Sequence, residues 1–544
     1  MKRLPTALLA TVAVLASSLA AQGSQAADTG IDTQILEGGR SAGATSPLSP
    51  GGRGDSSSST TVPQAAPAVD PVAAKWRARI ARRLATVRGE AELQPAEAPL
   101  PTEPGHAALK AELSRLTQTA SRVADVGVAV RRMDTGAPVF SYQADHELNP
   151  ASNHKLLTAI AAVELLGADY RFSTEVRIDG DSLVLVGDGD PSLQVADVRA
   201  LAAQTVASGV DLRRIKRIVA DDTAFTPQRF GPGYAADGPG WSYLAPSGAL
   251  SLQFNTVTVA VRPGTDGGAA RIAVEPASPH VIVENHTQAG RRNRISVQTY
   301  ARGNATVVDV RGTMGPRGIV SERRRISDPT RFTASTFAMA LAAHREGTVL
   351  PVVVGPAPDQ ARTVASHHSA PLPEVLSAAL VFSNNFTSEQ VLRTLGRRMS
   401  GAPGDWDNGR VALERFWDAM GRDRAELTFE NASGYSRQGR LTADAIVALL
   451  ARTQRPGSAA ASLADILPAS GRQGTMRHRL ARTRGRVRAK TVTLSGASAL
   501  SGLVVSRDGQ RAYGFSILVN GSLPHHSSRR LQDRLVMALV EHLH

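Results

Sequence analysis

The chain has 544 residues and a net charge of +14, too long for one hydrophobic core, so two or three folded units plus tails are expected. The absence of cysteine excludes disulfides, thiolate metal sites, a cysteine nucleophile and a lipid-modified N-terminal cysteine. The basic balance would suit nucleic acid, but an aromatic content of 4% offers little for base stacking, and no nucleic-acid partner is expected.

Met1-Lys2-Arg3, an apolar run from Leu8 to Leu19 and the small-residue close Ser24-Gln25-Ala26 form the three regions of a secretory signal, too short to span a bilayer. Residues 1–26 are assigned as a signal peptide cleaved after Ala26, and the mature chain as exported to the periplasm or cell envelope, where wall polymers and peptide carboxylates are the anions at hand. No later stretch reaches the roughly 20 apolar residues of a transmembrane helix. Residues 27–104, rich in Ser, Gly, Pro, Ala and Thr, read as a disordered linker or tail. Within them Trp76-Arg77-Ala78-Arg79-Ile80-Ala81-Arg82-Arg83-Leu84 is a basic amphipathic pattern. It suits peripheral contact with an anionic membrane or, equally, a solvated helix face.

Folding is predicted to begin near His106, where Leu109, Leu113 and Leu116 mark one helix face. A strand over Val126–Val130, a turn at Asp134-Thr135-Gly136 and a strand over Val139–Tyr142 make a hairpin. Pro150-Ala151-Ser152-Asn153-His154-Lys155 then opens an apolar helix stopped by Gly167. From about 179 to 325 the pattern changes to short β-type runs, among them Leu183–Val186, Thr256–Val261, His280–Val283 and Ala305–Val310. Helical patterns return at Ser335–Ala343 and Glu389–Leu395, followed by strands over Ser501–Ser506 and Ala512–Val519 and a last helix over Arg529–Leu543. The pairs His367-His368 and His525-His526 lack a carboxylate at helical spacing and are read as surface loops, not metal sites.

Ser152 and Lys155 lie three apart at a helix start, on one face and within mutual reach. A neutral lysine amine there can take the serine proton, and the helix N-terminus favours the developing alkoxide. Of 62 basic residues only six are lysine, Lys2, Lys75, Lys110, Lys155, Lys216 and Lys490, leaving 56 arginines. Lysine can shed its proton and arginine cannot, so a lysine kept in this arginine-dominated chain is a candidate for proton transfer. Two further triplets complete a pattern: Ser383-Asn384-Asn385, and Lys490-Thr491-Val492 followed by Thr493. Together they resemble the Ser-x-x-Lys, Ser-x-Asn and Lys-Thr-Gly set of the penicilloyl-serine transferases.

From His106 to His544 the chain resembles the class C low-molecular-mass penicillin-binding proteins, the serine D-Ala-D-Ala carboxypeptidase/endopeptidase family. The likeness extends to Gly189-Asp190-Pro191-Ser192-Leu193, Asn431-Ala432-Ser433-Gly434-Tyr435-Ser436-Arg437 and the 227 residues between Lys155 and Ser383. The resemblance implies an α/β fold: a β-lactamase/transpeptidase-like domain, an antiparallel sheet flanked by helices, built from residues 105–178 and 326–544, with a mainly β inserted region over 179–325. It implies an acyl-enzyme on Ser152 with Lys155 as base, Ser383 as proton relay, Asn385 holding Lys155 and the substrate amide, and Lys490 supplying positive potential. Thr491 and Thr493 would bind the terminal carboxylate, and the backbone N–H groups of Ser152 and Thr493 would form the oxyanion hole. The implied partners are peptidoglycan stem peptides and, as covalent inhibitors, β-lactams, with no cofactor and no metal. Val492 departs from the family's glycine, on the strand face of Lys490. It motivates an alternative, a catalytically impaired wall-binding homologue, beside a serine β-lactamase or esterase. Seven arginines between Arg472 and Arg488 read either as a positive rim for wall carboxylates or as a plain solvated face.

Overall fold

A computed structural model describes residues 71–92, 106–235, 238–265 and 267–543, with the side chain of Thr493 also left aside. The expected signal peptide and most of the expected linker lie outside the described residues.

Alternating apolar residues in Asp125–Arg132, Ala497–Val505 and Ala512–Asn520 build a sheet buried on both faces. With the hairpin strand Pro138–Tyr142 and the edge strand Val487–Leu494, these form a five-stranded, wholly antiparallel sheet. One face carries the first and last helices, His106–Ala120 and His525–His542, whose Leu109, Leu113, Leu535 and Leu539 pack on Val487, Ala489, Leu500 and Phe515. The other face carries His154–Leu166 and Ala443–Arg452, with Leu372–Val381, Asn385–Ser400 and Trp406–Ala419 stacked beyond. Alternation along Val487–Leu494 therefore assigns Val487 and Ala489 to the first core and Val492 to the second.

The inserted region has a core of its own. A mixed sheet orders Val352–Val354, Arg217–Asp221, Ser182–Gly187, Ser173–Asp179 and Arg362–His368, and two three-stranded sheets follow from Val281–Ala289, Ala305–Met314 and Arg294–Arg302, and from Val320–Arg325, Thr256–Arg262 and Arg271–Glu275. The mixed sheet draws strands from both sides of 179–325. It is packed by two helices, Val195–Ala207 and Pro329–Ala342. The region is thus more helical than a reading from β-type runs alone, because Val198, Leu201 and Ala202 and Phe337, Ala338 and Leu341 bury at helical spacing. His367 also departs from a surface loop: it lies in the strand Arg362–His368, its ring 3.8 Å from both Asp190 and Asp197.

Pro71–Glu92, expected within a linker, is a 22-residue helix. Ile80 and Val87 are buried in the second core of the five-stranded sheet, Trp76 meets Tyr170 edge-on at 5.4 Å, and Arg79 pairs with Asp169. Arg83 donates to the carbonyl of Glu164 in the last turn of His154–Leu166, where a basic group complements the exposed carbonyls. The apolar face proposed for a membrane surface is occupied by protein. No helix among the described residues is long and apolar enough to cross a membrane.

Candidate active site

Ser152 lies in a single 3-10 turn, Ala151–Asn153, that runs directly into the helix His154–Leu166. Ala151 has φ +43° and is held by a hydrogen bond from its N–H to Asn149 Oδ1 at 2.7 Å. Ser383, before the helix Asn385–Ser400, has φ +61°. Non-glycine residues in the left-handed region store strain that surrounding contacts must hold, and such strain concentrates at functional sites.

The Lys155 side chain crosses to three partners: Ser152 Oγ at 3.0 Å, Asn385 Oδ1 at 2.8 Å and the Ser433 carbonyl at 2.7 Å. It is fully buried. Burial first, and the neighbouring Lys490 second, hold its amine well below the usual lysine range, against a smaller opposing pull from Glu389. Lys490 is equally buried, donates to Ser383 Oγ at 2.9 Å and to the Thr491 carbonyl at 2.7 Å, and is pushed down to about 7 by burial. Five of the expected residues thus form two groups, Lys155 with Ser152 and Asn385, and Lys490 with Ser383. Thr491 is half-buried on the edge strand and contributes its carbonyl. The backbone of Thr493 continues that strand opposite Ser498, while its side chain is outside the described residues. Val492 is 6% exposed and belongs to the apolar core that includes the helix His154–Leu166. Its side chain fills packed space and leaves both lysine contacts in place.

Glu389 and Tyr234 were not singled out by motif. Glu389, buried one turn after Asn385, accepts from Trp406 Nε1 at 2.8 Å, the Ser433 N–H at 2.9 Å, the Tyr234 hydroxyl at 3.1 Å and the Ala432 N–H at 3.2 Å. It fixes the loop whose Ser433 carbonyl receives Lys155. Gly434, at φ +68°, lets this loop approach the nucleophile turn: a Cβ there would lie 1.9 Å from the Ala151 carbonyl oxygen. The available signal was the i, i+4 spacing of Asn385 and Glu389, which puts both on one helix face. Ser433 acts through a backbone atom and leaves no side-chain signature.

Among the described residues one cluster has metal-ligand character, Glu284, His286 and Asp309. It lies on a sheet of the insertion, outside the network of Lys155, and its carboxylates already engage Tyr300, Arg302 and Arg311. The groups around Lys155 and Lys490 have the parts that acyl transfer through a serine needs: a hydroxyl beside a buried amine of lowered basicity, and a second hydroxyl beside a second amine.

Comparison with known proteins agrees. The sequence model of the D-Ala-D-Ala carboxypeptidase 3 (S13) family matches residues 109–542. The chain is 33% identical over 447 residues to the D-alanyl-D-alanine carboxypeptidase of Actinomadura sp. (strain R39), covering 76% of this chain and 81% of that protein. It is 28% identical over 473 residues to carboxypeptidase DacB of Mycolicibacterium smegmatis, covering 81% and 85%. Penicillin-binding protein 4 of Haemophilus influenzae shares the fold, with a TM-score of 0.66 and 20% identity over 78% of this chain and 98% of its own. The chain belongs to the D-Ala-D-Ala carboxypeptidase 3 (S13) family and is a serine-type DD-peptidase.

Proposed function

We propose that the enzyme cleaves D-Ala-D-Ala stem peptides, or D-Ala cross-links, of peptidoglycan in the cell envelope after export through its N-terminal signal. The observation that carries the proposal is the 3.0 Å contact between the buried Lys155 amine and Ser152 Oγ. A neutral amine at that distance accepts the hydroxyl proton as Oγ attacks the penultimate carbonyl. The oxyanion is received by the backbone N–H groups of Ser152 and Thr493, each such donor contributing about 3 kcal/mol to lowering the barrier. Ser383, bonded to Lys490, passes a proton to the departing D-alanine amine, and the C–N bond breaks to leave an acyl-Ser152 ester. Water then hydrolyses the ester with Lys155 as base. Lys490, Thr491 and Thr493 are assigned to binding the terminal carboxylate, and Asn385 to orienting Lys155 and the substrate amide.

The same acylation makes β-lactams covalent inhibitors. The β-lactam complex solved for the Haemophilus influenzae protein supports this reading. An impaired, wall-binding role is not favoured, because Val492 leaves the Ser152 and Lys490 contacts intact.

The test is mass spectrometry after incubation with benzylpenicillin. A long-lived adduct mapped to Ser152 is expected, and Lys155→Ala is expected to slow its formation about 10²–10⁴-fold, the usual span for loss of a general base. Rapid β-lactam turnover would point instead to a β-lactamase, and an adduct elsewhere would end the assignment.

A further inference from the structure

The catalytic half carries a concentration of charge on the layer facing away from Ser152. The helix His525–His542 and the loop 471–486 border a cleft of about 560 Å³, lined by Arg529, Arg530, Arg534, His478 and His526. Its carboxylates are largely committed: Asp533 pairs with the buried Arg479 at 2.7 Å and Glu112 faces His542 at 3.5 Å, which leaves Glu541. The loop adds Arg472, Arg477, Arg482 and Arg484, and all seven of these unburied arginines are exposed. None of the seven forms an ion pair among the described residues. Unneutralised like charges repel one another and favour a partner that supplies the missing sign.

We propose that this face binds a polyanion, a wall-attached polymer with repeating phosphodiester groups. Arginine is this chain's usual cation and is not selective in itself, but its planar fork matches phosphate oxygens in pairs. The charges are spread along a helix and a loop, which suits a chain of repeating anions better than one small ion. The helix arginines lie on the layer opposite the site: Val487 and Ala489 pack beneath His525–His542, while Lys490 of the same strand bonds Ser383; the loop reaches toward the site's side only at Gly474, which packs against Val381. A molecule held there keeps Ser152 free for stem peptides.

The proposal rests on the envelope location above only for where the polymer is met; binding and hydrolysis are measured separately. The experiment is co-sedimentation of the full mature chain with purified bacterial walls that retain their phosphodiester polymer, and with the same walls after its chemical removal. Arg529→Gln/Arg530→Gln/Arg534→Gln is compared with the unaltered protein at 50 and 200 mM salt. Binding to polymer-bearing walls is expected to fall at least tenfold between the two salt concentrations, as for about three phosphate contacts. It is expected to fall tenfold or more in the triple variant and on stripped walls, with hydrolysis of a soluble D-Ala-D-Ala peptide unchanged. Equal binding by the triple variant, undiminished binding to stripped walls, or tighter binding to duplex DNA than to the polymer would each overturn it.

Discussion

At the scale of single residues, the site depends on keeping one amine poorly basic while holding it still. Burial and Lys490 lower Lys155, and Glu389 opposes them. Glu389 also receives four hydrogen bonds, two of them from the Ala432 and Ser433 backbone. Glu389→Gln removes the negative charge and turns an amide NH2 toward donors that need an acceptor. Without that charge the protonated form of Lys155 is less favoured, so its pKa falls further. With Lys155 in its proposed role as base, the acid limb of kcat/KM is therefore expected to move to lower pH while the plateau drops about tenfold. A pH profile on a D-Ala-D-Ala peptide decides the matter: a lowered plateau with an unmoved limb would reduce Glu389 to scaffolding. Val492 makes a second residue-scale case. Because it is packed into the core beside the nucleophile helix, Val492→Gly is expected to lower stability by about 2–3 kcal/mol, from lost apolar burial and added strand entropy. Penicillin acylation is expected to stay within about threefold. A large gain in acylation would instead mean that the valine obstructs the substrate.

At the scale of elements, the main-sheet strands were legible as short apolar runs bounded by turn residues, and the first helix through Leu109, Leu113 and Leu116 at helical spacing. Ser152, Lys155, Ser383, Asn385 and Lys490 were legible through motif spacing and through the scarcity of lysine. Pro71–Glu92 was legible only as an amphipathic pattern over Trp76–Leu84, not as a packed part of the fold. Its neighbours in sequence are Ser, Gly and Pro rich, and its mean composition is polar, so nothing local announces that Ile80 and Val87 find a partner surface 80 or more residues away. Val195–Ala207 was hidden for a related reason: short β-type runs on either side dominate the pattern, and only Val198, Leu201 and Ala202 mark its buried face. Since Ile80 is 1% exposed, Ile80→Ala is expected to cost about 2–4 kcal/mol, as for a buried aliphatic side chain cut to alanine. Denaturant unfolding reads this loss. Unaltered acylation of Ser152 would mark the helix as a stabilising brace, whereas a matching fall would show that its grip on the end of the nucleophile helix reaches the site.

At the scale of the whole molecule, the insertion and the catalytic half meet on Asn385–Ser400, the helix that carries Asn385 at its start. Arg393 is fully buried and lies between the rings of Phe225, at 4.4 Å, and Trp406, at 4.5 Å. Its guanidinium donates to the Thr226 carbonyl at 2.7 Å, Ser247 Oγ at 2.8 Å and the Gly404 carbonyl at 3.1 Å, while Gln390 donates to the Gly248 carbonyl and Arg397 pairs with Asp188. From Arg393 the contacts run through Trp406 to Glu389, and from Glu389 to the loop that holds Lys155. The insertion thus buttresses the elements that place Lys155. Arg393→Lys tests this, because an ammonium keeps the charge but can neither stack between two rings nor reach three acceptors in a plane. Stability is expected to fall by about 2–4 kcal/mol, since buried acceptors lose their donor. Penicillin acylation is expected to slow about tenfold under conditions where the variant remains folded, as Trp406 loosens and Glu389 follows. Arg397→Gln supplies the comparison: it cuts a half-exposed link to the same insertion without touching Trp406, so it is expected to leave acylation near its starting rate. If both variants acylate at the unaltered rate, the insertion anchors the fold without positioning Lys155, and control of the base resides in the catalytic half alone.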